Sequence, residues 1–251
     1  MHIQRLEGYA AALVVAGTAA IAQPAGDGTL VQYGTMREAI GHQKSEGRVH
    51  LSEIVAKPHF YGIAALEGLG GEITVFDSSP TVTRVGAGRA LSAVDGGDLQ
   101  ATLLAGAYVP SWRAHTIDNA IPAGEEFDDA VRTAASDAGV DTSKPFVFTA
   151  DGEFHDVRLH VINGACPLHA RLHDSEIPDA QKPFEAEFAT LRGRIVGIYA
   201  EDAVGKLTHP DTSTHVHVIF QDEASGEIVT GHVERIGLPA RATLNVPRVQ
   251  P

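Results

Sequence analysis

The sequence predicts an α/β (α+β) protein in which a mixed α/β first half is followed by a mainly β second half. Two observations predict this class. One strongly amphipathic helix pattern ends at Gly139, and almost every later apolar segment reads as a strand. A chain of 251 residues with 43% hydrophobic residues can bury the core of one large domain or of two modest ones.

The first 22 residues have the form of a secretory signal peptide. An arginine in MHIQRLEG precedes the 14-residue apolar run YAAALVVAGTAAIA, and Ala20-Ile21-Ala22 offers small residues to a signal peptidase. This run is too short to span a bilayer comfortably, and a buried N-terminal helix is the alternative. The sequence therefore predicts an exported protein, periplasmic or secreted, whose mature chain begins near Gln23 and carries no membrane segment.

Three patterns mark the elements of the first half. Thr35-Met-Arg-Glu38 has the form of a capping box and predicts a helix start just before AIGHQ. FYGIAAL and GEITVFD read as strands on either side of the glycine-rich EGLGG. GEEFDDAVRTAASDAG repeats apolar residues at helical spacing and ends in Gly139, which predicts a capped amphipathic helix.

The second half reads as strands joined by one connector. FVFTADGEFHDVRLHV predicts a hairpin that turns at Asp151-Gly152, a dipeptide typical of tight turns. Residues 163–182, with two prolines, form the connector. EAEFATLRGRIVGIYA, THVHVIF and GEIVTGHVERI then predict three strands.

Three histidines fall on the last two of these strands. Residues i and i+2 of a strand share a face, so His215 and His217 project side by side. A hairpin centred between Ala224 and Ser225 places His232 directly opposite His217. A chain with 13 histidines produces His-x-His pairs by chance, but the register-matched third histidine favours a three-ligand metal site with an open position.

Charge and cysteine content limit the partners. The formal net charge of -13 argues against nucleic acids and anionic membrane surfaces, which select basic patches. Small molecules or other proteins are the expected partners. Cys166 is the single cysteine, so an internal disulfide is impossible, and we expect it to be a small buried hydrophobic residue.

Several of these segments resemble the α-acetolactate decarboxylase family between about Val31 and Ile236. The similar segments are VQYGTMREAI, FYGIAALEGLGGEI, GEFHDVR, GRIVGIYA, THVHVIF and GHV. The resemblance implies a mixed-sheet domain, residues 23–140, then a smaller β-rich domain, residues 141–251, that carries the metal, in a homodimer. It also implies that His215, His217 and His232 bind Zn²⁺ or another divalent transition metal.

The resemblance further implies a decarboxylase that converts 2-acetolactate, a small anionic hydroxy-keto acid, to acetoin. The metal would polarise the ketone, and the electrons released with CO2 would be held as a metal-bound enediolate. Glu72, which falls on the family's Asp-Gly-Glu turn, would donate a proton to one face. The alternative for Glu72 is an exposed glutamate at the entrance of a strand.

Two departures from the family pattern put this reaction in doubt. His160 stands where the family has an arginine that meets the substrate, and Arg158 lies two residues away. We expect both to face the metal, with substrate binding weakening as pH rises past the histidine pKa. The family's C-terminal catalytic glutamate also has no counterpart, because no acid follows Glu234.

Three functions therefore remain open from sequence. The first is acetolactate decarboxylation with a rearranged anion site. The second is a related metal-dependent lyase or isomerase acting on another hydroxy-keto acid. The third is a non-catalytic exported metal-binding protein. The additional histidines at positions 155, 169, 173 and 209 favour altered metal chemistry only slightly.

Overall fold

The computed structural model describes residues 28–94 and 98–248, and the predicted signal peptide, residues 1–22, lies outside them. The described part consists mostly of β-strands with few helices, which agrees with the predicted α+β class. Its strands are β1 (Val31–Tyr33), β2 (Val49–His50), β3 (Phe60–Leu66), β4 (Glu72–Phe76), β5 (Ser79–Val85), β6 (Leu91–Ala93), β7 (Gln100–Tyr108), β8 (Trp112–Thr116), β9 (Phe146–Val161), β10 (Phe184–Tyr199), β11 (Thr214–Gln221), β12 (Ile228–Gly237) and β13 (Thr243–Pro247).

Three α-helices and four shorter helical segments accompany the strands of the described part. The α-helices are α1 (Leu51–Val55), α2 (Glu125–Asp137) and α3 (Pro167–Leu172). A π-helix spans Arg37–Gly41, and 3-10 turns span Glu67–Leu69, Ala87–Arg89 and Asp179–Gln181. Within the described residues, no helix is both long enough and apolar enough to cross a membrane.

The first sheet has the strand order β1-β7-β3-β4-β5-β6, with β2 also paired to β7. Each pairing between these strands is antiparallel, so the mixed sheet that the resemblance implies is wrong for this half. Neighbours along the chain are joined by short turns at β3–β4, β4–β5 and β5–β6, and such turns allow only antiparallel pairing. The predicted strands FYGIAAL and GEITVFD are confirmed as β3 and β4.

The second sheet has the order β10-β11-β12-β9-β13-β8, and an additional β9–β10 pairing closes β9, β10, β11 and β12 into a ring. The hairpin predicted at Asp151-Gly152 is wrong. β9 runs unbroken from Phe146 to Val161, and β10 pairs with it along nearly its whole length, with Gly152 opposite Gly193. This long ladder satisfies the backbone of both strands and outweighs the local turn preference of the dipeptide.

The remaining predicted elements mostly agree with the structure. The strands around the three histidines are confirmed as β11 and β12. The capping box is confirmed, because the Glu38 N–H donates to Thr35 Oγ1 at 3.2 Å, although the helix it begins is a π-helix. The predicted amphipathic helix is confirmed as α2, with Gly139 at a φ of 81° beyond its end. The connector is only partly irregular, since it contains α3.

The two sheets pack against one another around an apolar layer. Tyr61 and Ile63 of β3 meet Val196 and Ile198 of β10 in this layer. A buried hydroxyl pair, Thr74 Oγ1 to Thr230 Oγ1 at 2.5 Å, ties β4 to β12. These contacts fix the position of the first sheet relative to the histidine strands of the second.

The chain passes from the first sheet to the second between β7 and β8. α2 covers the second sheet, and its fully buried Val131 and Ala134 share a core cluster with Phe148 of β9. The division of the mature chain into residues 23–140 and 141–251 stays a prediction.

Candidate active site

His215, His217 and His232 form a buried cluster on β11 and β12. The register pairs His217 directly with His232, as the sequence predicts, because the turn between the strands is centred between Ala224 and Ser225. One ring nitrogen from each of the three histidines lies within 4.8 Å of the others. The spacing and residue types are those of a three-histidine metal centre.

Hydrogen bonds fix the orientation of two of these imidazoles. His215 Nδ1 lies 2.8 Å from the Leu207 carbonyl oxygen, and His217 Nδ1 lies 3.0 Å from that of Ile73. A carbonyl oxygen only accepts, so each Nδ1 carries the hydrogen and donates. In the neutral ring Nε2 then holds the lone pair that a metal needs, an arrangement typical of histidine ligands.

Burial keeps these imidazoles neutral. Desolvation lowers the pKa of His215 to about 4, and it lowers the pKa values of His217 and His232 well below the ordinary value of 6.5. The charges of neighbouring histidines lower them further. A neutral, correctly oriented donor set fits a divalent transition metal.

Glu72 enters the same site from the other sheet. Its Oε2 lies 3.6 Å from His217 Nε2, and its side chain is 4% exposed, so the alternative of an exposed glutamate is wrong. Gly71 makes this approach possible, because its φ is 149° and a side chain there would collide with the Thr83 carbonyl. The first residue of β4 therefore faces inward with its backbone packed closely against β5.

The Glu72 carboxyl group is protonated near neutral pH. Burial raises its pKa to about 8, although the N–H of Ile162, 3.4 Å from Oε1, donates to it and acts in the opposite direction. The short contact with His217 therefore joins two neutral groups rather than an ion pair. A buried carboxylic acid of this kind is a potential proton donor.

A cavity lies in front of the histidines and Glu72. Its apolar wall comes mainly from the first sheet and from the segments next to it. This wall consists of Met36, Ile40, Ile63, Ala64, Ala65, Leu69, Leu103, Ala105, Ile162, Cys166 and Leu207. Cys166 is buried there as a small hydrophobic residue, as the sequence predicts, and burial raises the pKa of its thiol to about 11. An apolar wall with a few convergent polar groups is typical of a site for a small organic molecule.

His160 lies at this cavity, whereas Arg158 does not. β9 places His160 directly opposite His232, and the two ring centres are 4.6 Å apart. The Arg158 guanidinium instead binds outside the cavity, with Nε 3.0 Å from Glu234 Oε2. The expectation that both cationic side chains point at the open metal position is therefore not met. The pairing of β9 with β12 shifts register between Val233 and Arg235, so His160 and Arg158 have different neighbours on β12.

Glu234 sits at that register shift and connects the two residues. Its Oε1 accepts from His160 Nδ1 at 2.8 Å and from an Arg171 amino group at 2.6 Å. Burial alone would raise the pKa of Glu234, but the hydrogen bonds and charges of His160 and Arg171 lower it to about 2. Burial lowers the pKa of His160, and Glu234 offsets only part of this effect, so the imidazole is neutral at neutral pH.

Sequence reasoning missed three residues of this region, Glu234, Arg171 and Lys206, and named His209 only as one of four additional histidines. Glu234 had a usable signal, because it follows His232 by two residues and strand alternation gives both the same face. Arg171 reaches Glu234 from α3, a helix that no sequence pattern predicts. His209 and Lys206 line the cavity from the loop between β10 and β11, where no periodic pattern exists.

The buried titratable groups predict a stability maximum near pH 6.5 for the metal-free protein. Folding lowers the pKa values of five buried histidines, so the unfolded chain binds more protons below 6.5 and stability falls as pH drops; they are His160, His209, His215, His217 and His232. Glu72 has the opposite effect. Its folded-state pKa of about 8 contributes stability that is full below 4.5 and is lost as pH rises through 8. Below pH 6.5 the effect of the five histidines on stability exceeds that of Glu72, and between pH 6.5 and pH 8 the effect of Glu72 dominates.

Urea unfolding in the presence of a chelator, repeated from pH 5 to pH 8.5, measures this dependence. Glu72→Gln should remove the decline above pH 6.5 and make stability rise more steeply between pH 5 and pH 6.5, because Glu72 opposes the histidines over that range. A stability that rises steadily to pH 8.5 would contradict the protonated state of Glu72.

Comparison with known proteins relates this site to one family. The family model described as alpha-acetolactate decarboxylase matches residues 30–250. None of the curated proteins compared with the chain matches it. Alpha-acetolactate decarboxylase from Bacillus subtilis strain 168 has the same fold, with a TM-score of 0.63 and 21% identity over 88% of this chain and 86% of that one.

Two further crystal structures resemble the chain. The enzyme from Bacillus subtilis subspecies spizizenii gives a TM-score of 0.62 and 21% identity, covering 88% of this chain and 87% of its own. A protein of unknown function from Staphylococcus aureus, similar to alpha-acetolactate decarboxylase, gives 0.60 and 16%, covering 87% and 84%. The family model spans nearly all of the described residues, including both sheets and the three histidines. The chain therefore belongs to the alpha-acetolactate decarboxylase family, a family of carboxy-lyases.

Proposed function

We propose that this protein is a zinc-dependent acetolactate decarboxylase that converts 2-acetolactate to acetoin and CO2. The observation that carries the proposal is a protonated, buried Glu72 placed 3.6 Å from His217 within a cluster of three neutral histidines. His215 and His217 would hold the ion through Nε2, and His232 would be the third ligand. When bound, the ion supplies a Lewis acid for the hydroxyl and ketone oxygens of the substrate.

Glu72 provides the proton that the reaction consumes. Loss of CO2 breaks a carbon–carbon bond and leaves an electron pair on the substrate. The carboxylic acid of Glu72 delivers its proton to the carbon that carried the carboxylate, and solvent then reprotonates Glu72. Because β4 holds the carboxyl group on one side of the cavity, the proton arrives on one face, which would give a single enantiomer of acetoin.

His160 binds the substrate as a neutral hydrogen-bonding group. The Glu234 carboxylate accepts from His160 Nδ1 at 2.8 Å, so Nδ1 carries the hydrogen and Nε2 is an acceptor. At this position in the cavity lining, Nε2 can accept a hydrogen bond from the hydroxyl group of the substrate. Arg158 and Arg171 act as positioning residues, since both bind the same Glu234.

We expect His160→Gln to lower kcat/KM about tenfold, the value of one hydrogen bond, with metal content unchanged. Because His160 is neutral, its protonation state should not change between pH 6.5 and pH 8. It should therefore cause no change of the wild-type KM with pH over this range. His42→Gln, a change at an exposed histidine, is the control. A wild-type KM that rises over this range and is flattened by His160→Arg would instead show a cationic His160.

The decisive test of the proposed function combines metal content with product analysis. Purified mature protein should contain one zinc ion per chain and form acetoin from racemic acetolactate, with one substrate enantiomer consumed first. Removal of the metal should abolish this activity, and added zinc should restore it. Bound metal without acetoin formation would refute the decarboxylase proposal.

A related lyase or isomerase on another hydroxy-keto acid is the second candidate. The observation in its favour is that no arginine lines the cavity in the described part of the chain, where the family pattern has one. Turnover of other hydroxy-keto acids in the absence of acetoin formation would support this candidate. A metal-loaded protein that turns over none of them would be the non-catalytic binding protein.

Export and dimerisation complete the proposal. The signal-peptide pattern of residues 1–22 supports a periplasmic or secreted protein, and the family resemblance supports a homodimer with domains 23–140 and 141–251. Amino-terminal sequencing of protein recovered outside the cytoplasm should begin near Gln23. Sedimentation analysis should give twice the mass of the mature chain, and a monomer would contradict the dimer.

A further inference from the structure

The proposed substrate is an anion, but the described residues around the cavity provide little positive charge. Five histidines line it, and three of them are the candidate metal ligands. Glu72 is the acidic residue of the lining. Lys206 is the only lysine or arginine among the described lining residues.

The backbone around Lys206 is fixed beside the candidate metal site. The Lys206 N–H donates to the Ala203 carbonyl at 2.9 Å, and the Lys206 carbonyl accepts from the Met36 N–H at 3.2 Å. The next residue, Leu207, supplies the carbonyl that orients His215. Lys206 is thus anchored through the same loop that positions a candidate metal ligand.

The ammonium group of Lys206 is available for a ligand. None of the ion pairs or side-chain hydrogen bonds found within residues 28–94 and 98–248 involves it, and the residue is exposed. In contrast, the exposed Lys144 and Lys182 each pair with a nearby aspartate, at 3.1 Å from Asp141 in the case of Lys144. A flexible, unpaired lysine at the edge of a cavity can bind a carboxylate as a point charge.

We propose that Lys206 binds the carboxylate of the substrate and supplies the positive charge that His160 and Arg158 do not bring to the cavity. This inference rests on the proposed function, because it assigns the carboxylate-binding group of the same site. Lys206 is exposed, so its charge is held where the cost of desolvation is small.

The proposed contact has a distinct kinetic signature. The negative charge leaves the carboxylate as CO2 departs, so Lys206 stabilises the bound substrate more than the transition state. Loss of Lys206 should therefore raise KM without lowering kcat. The product acetoin has no charge, and its binding should not depend on Lys206.

The test uses Lys206→Met and Lys206→Arg in the zinc-loaded full chain, with Lys144→Met as the matched control. Lys206→Met should raise the KM for acetolactate about tenfold, keep kcat within about twofold, and leave inhibition by acetoin unchanged. Lys206→Arg should stay close to the wild type. An unchanged KM, or an equal weakening of acetolactate and acetoin, would overturn the inference, because equal weakening indicates a structural role.

The same variants separate this inference from the proposed function. If the wild type releases no acetoin, the proposed function fails, and calorimetric binding of acetolactate to the zinc-loaded protein then tests Lys206. About tenfold weaker binding in Lys206→Met would support the carboxylate site. Equal binding in both proteins, or no binding to the wild type, would overturn it.

Discussion

Replacement of His217 by alanine is expected to remove the metal and to abolish decarboxylation. His217 supplies one of three imidazoles, and its Nδ1 is already committed to the Ile73 carbonyl at 3.0 Å. The free energy of zinc binding at sites with several protein ligands is about 10–16 kcal/mol in total. The loss of one ligand should therefore weaken zinc binding roughly 10³-fold. Metal analysis after dialysis should show one ion per wild-type chain and almost none per variant chain.

Controls distinguish ligand loss from misfolding. His217→Gln keeps a side chain of similar length in this buried position and should also lose the metal, while circular dichroism should show an unchanged fold. His42→Ala, at an exposed histidine, should retain full metal content. The same loss is expected for His215→Ala and His232→Ala. Full metal content in any of these three alanine variants would place the site elsewhere.

Glu72→Gln is expected to lower kcat about 10²–10⁴-fold with metal content unchanged, because a positioned general acid contributes about this much. Glutamine keeps the size of the side chain and can still accept from the Ile162 N–H. Since burial raises the pKa of Glu72 to about 8 in the metal-free protein, the change leaves the charge of the metal-free cavity unaltered near neutral pH. The fold should therefore remain intact while the transferable proton is lost.

The pH profile provides an independent test of this role. Activity that needs the protonated acid is lost as pH rises through the pKa of Glu72, which is about 8 in the metal-free protein and is lowered by a bound cation. The wild type should therefore show an alkaline limb that is absent from the residual activity of Glu72→Gln. Glu53→Gln, at an exposed position on α1, should behave like the wild type. Wild-type turnover in Glu72→Gln would exclude the role.

The histidine cluster could be predicted from sequence because it depends on local geometry. Strand alternation places His215 and His217 on one face, and the short turn fixes the pairing of His217 with His232. The amphipathic helix α2 was equally accessible, since its apolar residues lie within a few turns of one another. These features arise between residues that are close in the chain.

Long-range pairing decided the features that the sequence could not determine. The turn preference of Asp151-Gly152 is local, but β10 pairs along β9 and keeps the strand continuous through that dipeptide. Arg158 and His160 share a strand face by alternation. At the register shift, however, the Arg158 guanidinium pairs with carboxylates outside the cavity, those of Glu185, Glu187 and Glu234. Neither the partner strand nor its register shift is encoded in the local pattern.

The sequence alone therefore determined the three candidate metal ligands, and the tertiary structure decided the chemical state of the site. Glu72 comes from the first sheet and meets His217 only because the two sheets pack face to face. Its pKa of about 8 is a consequence of burial, which removes the water that would stabilise the charged carboxylate. Solvent exclusion depends on the whole fold, so a residue's protonation state cannot be read from its neighbours in the chain.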